Sequence, residues 1–225
     1  MIKAVIFDMF ETLVTLFIGR TYFSENIAQD IGVPLESFRA AWHSNEIERT
    51  TGVLTLEEGM ARAFEAVGVS RDRVPQIAAK RREALGDTFG SVPPATVALL
   101  QELKKRGIQI GLISNCFSDE AEMIKNSVVY PYFDAVKLSY EQGICKPDPA
   151  IYYRIAAELG VEPEECLYVG DGGSNELAVA KECGMKPVQA LWFRPLMFEP
   201  HIPSPVFEEY PHAEIQPEVL NYLDA

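Results

Sequence analysis

YVGDGGSNEL, residues 168–177, packs the end of a strand, a turn and the start of a helix into ten residues. The apolar run that begins at Cys166 stops at Asp171, Gly172 and Gly173 permit a tight turn, and Ser174-Asn175-Glu176 opens a helix. An ordinary capped turn would read similarly. Here, however, two glycines and a strand-terminal aspartate coincide, and two carboxylates flank the same turn. Asp171 and Glu176, joined by Asp8 from elsewhere in the chain, could supply oxygen ligands to a hard divalent cation, for which Mg²⁺ is the usual choice beside a phosphate.

Outward from this stretch, the same strand-then-helix alternation recurs. Short β-rich apolar runs cover Lys3 to Asp8, Gln109 to Ser114, Asp134 to Ser139, Cys166 to Asp171 and Lys186 to Trp192. Helical periodicity fills the gaps between the last four, at Asp119 to Asn126, Ala150 to Leu159 and Glu176 to Cys183, each long enough for a crossover connection. The pattern predicts an α/β fold with a doubly wound parallel sheet. Ligands of such sheets collect at the carboxyl ends of the strands, which here fall at Asp8, Ser114, Ser139 and Asp171.

Residues 19–90 break the alternation. They offer helical stretches at Phe23 to Ile31, Leu35 to Arg49, Thr55 to Val67 and Val74 to Leu85, joined by Gly and Pro turns, and are expected to form an inserted all-helical cap domain on a core made of residues 1–18 and 91–225. Trp42, Phe23, Phe38 and Phe64 read as the insert's own small core. An amphipathic helix over Ala95 to Arg106 then feeds the second strand. Five of the fifteen prolines fall between Arg194 and Glu214, so that tail is expected to be an irregular surface excursion, covering the core, before a short last helix near Pro217 to Leu223.

Bulk properties narrow the functional classes. The 225-residue chain, 48% hydrophobic, can fill a packed interior, and its formal net charge of −13 provides no basic footprint for nucleic acid or an anionic membrane surface. The opening apolar run MIKAVIF stops at Asp8, short of a signal-peptide core or a membrane span, which leads to the expectation of a cytoplasmic protein. The four cysteines show no zinc spacing and read as reduced. A monomer and a homodimer are both compatible with the pattern.

Several side chains are candidates for chemistry. Asp8 ends an apolar strand in FDMFETLV, where a lone carboxylate needs work or a partner; a turn aspartate is the competing reading. Thr12 can bond that carboxylate or the local backbone. Ser114 and Asn115 end the strand GLIS ahead of a helix, where a hydroxyl and nearby N–H groups suit an anion or simply cap the helix. Lys146 lies in CKPDP, where Pro147 and Pro149 stiffen the backbone and fix the direction of the ammonium. Arg20 offers a bidentate fork for a substrate carboxylate or phosphate, with solvent exposure as its alternative. His43 is a candidate anion ligand, although a histidine on a helix of mixed polarity is more often a surface or packed residue.

Taken in order, FDMFETL, ISN, KPDP and VGDGGSNE resemble the four motifs of the haloacid dehalogenase superfamily, and the resemblance spans residues 1 to 18 and 93 to 192. It implies a Rossmann-like core with a helical cap inserted after the first motif. It also implies that Asp8 is the nucleophile, that Thr12 and Ser114 hold the transferring group, that Lys146 orients Asp8, and that Asp171 with Glu176 secures Mg²⁺, the main-chain carbonyl of Phe10 being a further ligand. The substrate would be a small anionic molecule. One departure stands out: phosphatases of the superfamily usually carry a second Asp where this chain has Phe10. Phenylalanine transfers no protons, so alkyl phosphate hydrolysis should lose the roughly 10²- to 10⁴-fold that general acid–base groups contribute. An aromatic there resembles the dehalogenases, yet these place Arg after a cap Trp, whereas Trp42 is followed by His43, and they tend to lack the Asp found here at 171. A Mg²⁺-dependent phosphohydrolase of a small metabolite is the leading expectation. A 2-haloacid dehalogenase working through an aspartyl ester and a non-catalytic binding protein are the alternatives.

Overall fold

The computed structural model describes residues 1–224. Six strands, β1 (Ala4–Phe7), β2 (Gln109–Ser114), β3 (Ala135–Leu138), β4 (Cys166–Gly170), β5 (Lys186–Ala190) and β6 (His212–Ala213), form one sheet in the order β3-β2-β1-β4-β5-β6. Every pairing is parallel. The chain winds from β1 to one edge and then returns to the other, so the switch point falls at β1, where ligands of open α/β sheets bind. β1 is AVIF with no polar residue because both of its faces are covered.

Helices α1 (Ser24–Ile31), α2 (Leu35–His43), α3 (Glu46–Thr50), α4 (Leu56–Ala66) and α5 (Val74–Gly90) make up the insertion, followed by α6 (Pro94–Lys105), α7 (Ser118–Lys125), α8 (Ser139–Gln142), α9 (Pro149–Leu159) and α10 (Glu176–Glu182) around the sheet. One buried cluster, with Phe7, Leu100, Leu112 and Val169, lies on one sheet face, and a second, with Ile6, Ile155, Tyr168 and Ala180, on the other. A third, with Ile27, Phe38, Met60, Phe64 and Ile77, belongs to the inserted helices alone. Each large side chain removed from water in these clusters contributes roughly 1.5–3 kcal/mol. Phe38 and Phe64 are core of the insertion as read from the sequence, with Trp42 packed against them; Phe23 instead meets Phe17 and His201.

Three expectations are corrected. The stretch Leu35 to Arg49 is two helices, broken at Ser44 and Asn45, because the buried Asn45 side chain donates to the Gly59 carbonyl at 3.0 Å and accepts from Arg49 rather than facing solvent from a continuous helix. α5 continues past Leu85 to Gly90, since burial of Thr88 and Phe89 outweighs the low helix propensity of Gly86. The two-residue β6, which extends the sheet beyond β5, was too short to show a period.

The insertion is tied to the core at the start of α7. Arg81 on α5 donates from Nε to Asp119 at 2.8 Å and also pairs with Glu120, while the Leu56 N–H donates to Ser118 Oγ at 2.9 Å. Between them the Arg49 guanidinium lies 3.4 Å from the Trp42 ring centre and 4.5 Å from that of Phe117. None of the described helices is long and apolar enough to cross a membrane.

Candidate active site

β1 hands the chain to Asp8, whose N–H still bonds the Val169 carbonyl at 2.9 Å, so the carboxylate projects from the central strand's carboxyl end. The backbone then turns sharply: Leu13 and Val14 donate back to the Met9 carbonyl, and Glu11 adopts the left-handed region at φ 58°. Glu11 anchors the exit of this turn by accepting from Thr15 Oγ1 at 2.6 Å and from the Leu16 N–H at 2.9 Å. Phe10 packs edge-on against Phe89 at the foot of α5, ring centres 6.1 Å apart. Thr12 is fully buried, and its hydroxyl has no hydrogen-bond partner among the described residues.

Lys146 reaches Asp8 from the opposite side of the switch point. Its Nζ donates to Asp8 Oδ1 at 2.6 Å and to Glu176 Oε2 at 2.5 Å, with Tyr168 Oη at 3.5 Å. Asp8 Oδ2 is left without a hydrogen-bond partner among the described residues. The Lys146 main chain is gripped by the Asn115 side chain, which donates from Nδ2 to its carbonyl at 2.9 Å and accepts from its N–H at 2.8 Å. Asn115, expected to bind substrate, therefore has its amide committed to positioning the lysine. Ser114 is completely buried at the end of β2, its hydroxyl making only a long contact of 3.4 Å with the Asn115 carbonyl.

The 168–177 stretch completes the cluster. Gly170 must lack a Cβ because the Glu176 carboxylate occupies that space, and Gly172, at φ 102°, turns the chain beneath Phe207. Ser174 and Asn175 are left-handed, so helix α10 starts cleanly only at Glu176. Glu176 is fully buried: Oε2 accepts from Lys146 and from Tyr168 Oη at 2.7 Å, and Oε1 from the Gly172 N–H at 3.1 Å. Asp171 accepts from the Gly173 N–H at 3.0 Å and from Ser204 Oγ at 3.1 Å. Tyr168 and Ser204 were not singled out in the sequence. The first looks like any strand residue, and the second arrives from the proline-rich tail, which crosses the Asp171 turn and is held there by Gln189 Nε2 donating to the Pro205 carbonyl at 2.7 Å.

Asp8, Asp171 and Glu176 each offer an oxygen within 4.8 Å of the others. Three carboxylates then face one ammonium. Burial pushes the Asp8 carboxyl up to about 8, against the pull of Lys146 and with further upward pressure from Glu176 and Asp171. Burial and Glu176 also raise Asp171. Burial alone would lower Lys146, but Asp8 and Glu176 outweigh it and hold the ammonium charged. This excess of negative charge, the hard oxygen donors and the orphaned Thr12 hydroxyl suit a divalent cation with an oxyanion beside it, and such a cation would return Asp8 to its ionised form. Both oxygens of Asp171 and both of Glu176 already accept hydrogen bonds, so Asp8 Oδ2 is the freest donor of the three.

A cleft of about 660 Å³ opens beside this cluster, between α3 and the loops after β2 and β4. Phe10, Asn115 and Lys146 line it. Two sequence candidates do not reach the cluster. Arg20 is largely exposed and paired with Asp87 at 2.7 Å and Glu83 at 2.9 Å, its fork being taken by neighbouring α5 acids. His43 is exposed at the end of α2, 2.7 Å from Glu46, because the helix break turns it outward.

A doubly wound α/β sheet with an aspartate at its switch point, a lysine bound to it and further carboxylates in the turn and helix after the next strand defines a class of hydrolase. The chain belongs to the haloacid dehalogenase-like hydrolase family, whose model matches residues 2–184. It is 28% identical to a glyceraldehyde 3-phosphate phosphatase of Methanopyrus kandleri over 84% of each chain. It is 32% identical to a phosphoglycolate phosphatase of Rhodospirillum rubrum over 83% of this chain and 78% of that one. Among solved structures, a 2-haloacid dehalogenase of Pseudomonas syringae shares the fold with a TM-score of 0.71 at 21% identity, covering 100% of this chain and 99% of that chain. A family enzyme of Bacteroides thetaiotaomicron, solved with magnesium and inorganic phosphate, shares it with a TM-score of 0.66 at 22% identity, covering 84% and 94%.

Proposed function

We propose that this chain is a Mg²⁺-dependent phosphohydrolase of a small phosphorylated metabolite, working through an aspartyl phosphate on Asp8. The observation that carries the reading is the state of Asp8: one oxygen is held by Lys146 and the other is free, at the switch point of the sheet. Asp8 Oδ2 attacks phosphorus, the bond from phosphorus to the leaving oxygen breaks, and water then attacks the acyl phosphate at phosphorus to release inorganic phosphate and regenerate Asp8. Lys146 orients Asp8 and offsets charge on the transferred group. Glu176, Tyr168 and Asn115 fix Lys146, and the hydroxyls of Thr12 and Ser114 are donors for the phosphoryl oxygens. Mg²⁺ would be held by Asp8, Asp171, Glu176 and the Phe10 carbonyl and would neutralise charge on the transferred group. Residues 19–90 act as the cap over a core of residues 1–18 and 91–225. The phosphatase names of the two relatives support phosphoryl chemistry.

Phe10 gives no proton to the leaving group, so acyl and aryl phosphates suit the site better than alkyl phosphates. Phe10 is also the observation that favours a dehalogenase as the second reading, since halide leaves unprotonated. A screen of acetyl phosphate, p-nitrophenyl phosphate, sugar phosphates and haloacetates, with and without Mg²⁺ and with Asp8→Asn as the blank, separates the two. Mg²⁺-dependent phosphate release supports the proposal, and halide release without phosphate turnover refutes it.

A further inference from the structure

The cleft beside Asp8 carries charge of one sign beyond its catalytic end. Apart from Lys146, bound by Asp8 and Glu176, the charged side chains that line it among the described residues are Glu46 and Glu120. Glu120 has both oxygens committed, to Arg81 and to the Phe117 N–H at 2.8 Å. Glu46 is half-exposed and uses only Oε2, 2.7 Å from His43 Nδ1. The remaining wall is apolar at Leu16, Ile47 and Phe117, or neutral and polar at Thr50, Ser174 and Asn175.

Neither Arg81 nor Arg49, the two arginines at the Phe117 ring, lines the cleft, and nor does His43. Arg81 is spent on Asp119 and Glu120. Arg49 is fully buried, with its guanidinium stacked on Trp42 and Phe117, and its unpartnered Nε and Nη2 are out of contact with solvent. A carboxylate entering the cleft would therefore lose water, meet Glu46 and find among the described lining residues no cation but Lys146, already paired twice, whereas a hydroxyl or an amine would find acceptors.

Resting on the phosphohydrolase reading, we infer that the site takes phosphate esters or anhydrides whose leaving part bears no negative charge, neutral or amine-bearing, and discriminates against those that carry a carboxylate. Of the substrates named for the two relatives, glyceraldehyde 3-phosphate meets this condition and phosphoglycolate does not. The same argument disfavours a 2-haloacid, whose carboxylate adjoins the reacting carbon.

Calorimetric titration with three non-hydrolysable probes tests the inference without turnover: phenylphosphonate, 4-carboxyphenylphosphonate and 4-(aminomethyl)phenylphosphonate, each with Mg²⁺. The carboxylate probe should bind at least about tenfold more weakly than phenylphosphonate, and the amine probe as tightly or more so. Glu46→Gln, a change at a half-exposed residue, should narrow the gap between amine and carboxylate probes severalfold. Equal or tighter binding of the carboxylate probe, particularly if Arg49→Lys abolishes it, overturns the inference and assigns Arg49 as a carboxylate ligand. Failure of all three to bind overturns it too. A failure of the phosphohydrolase reading looks different: these probes bind in the expected order, but acetyl phosphate and phenyl phosphate are not turned over.

Discussion

Asp8 sits where an unpartnered carboxylate is costly, and Lys146 engages one of its oxygens while the other has no hydrogen-bond partner among the described residues. Asp8→Asn should lower kcat on acetyl phosphate by at least about 10³-fold while the fold persists, as circular dichroism would show. Glu176→Gln should act through Lys146, which keeps Asp8 as its partner: weakening one charge-assisted hydrogen bond costs about 1.5–3 kcal/mol, read as a lower denaturant midpoint, together with a fall in kcat. Phe10→Asp should raise kcat/KM on alkyl phosphates by about tenfold or more, a part of what a general acid contributes, with a smaller effect on p-nitrophenyl phosphate; no change would show that leaving-group protonation does not limit the enzyme. Asp8, Lys146 and Asp171 were legible because each interrupts a local pattern: a charge ending an apolar strand, a lysine locked between prolines, an aspartate before glycines. Tyr168 and Ser204 break no such pattern. Their roles come from contacts with residues distant in the chain, as does the diversion of Asn115 to the Lys146 backbone.

The elements that align the site meet at α7. Its first turn follows Ser114 and Asn115 by only a few residues and carries Asp119 and Glu120, the partners of Arg81 on α5. The inserted helices are thereby anchored within a few residues of the loop that grips Lys146. Arg81→Met would leave two buried carboxylates unpaired and should destabilise the protein by about 3–5 kcal/mol. Arg81→Met combined with Glu120→Gln should recover part of that loss, and urea unfolding of the three proteins measures the coupling. The periodicity of α4, α6, α7 and α9 was readable because each buries apolar residues that recur at helical spacing. The break between α2 and α3 was not, because it depends on an asparagine whose partner, Gly59, lies on another helix.

Across the whole molecule, the doubly wound parallel sheet follows from strand–helix alternation, while the course of the tail over Asp171 does not, since prolines exclude regular structure without saying where the chain goes. Buried thiols set a further global property. Burial pushes Cys116 and Cys166 up to about 12 from the ordinary thiol value of 9.0. Raised folded-state values favour the protonated form, so stability is intact below pH 9 and falls as pH rises from 9 towards 12, by up to roughly 4 kcal/mol for each thiol. Replacing both cysteines with alanine should flatten that decline in thermal melts. The carboxylate cluster adds a second: Mg²⁺ at a hundred times its dissociation constant should raise the unfolding free energy by about 2.7 kcal/mol, and Asp171→Asn should remove most of that gain. The most direct test of the account is the identity of the covalent intermediate. The enzyme is mixed with acetyl phosphate and Mg²⁺, quenched in acid within its first turnovers, and mapped by peptide mass spectrometry. Phosphate on the peptide that contains Asp8, absent in Asp8→Asn, is the predicted result; turnover with the label on another residue, or with Asp8 unmodified under conditions that preserve an acyl phosphate, would contradict it.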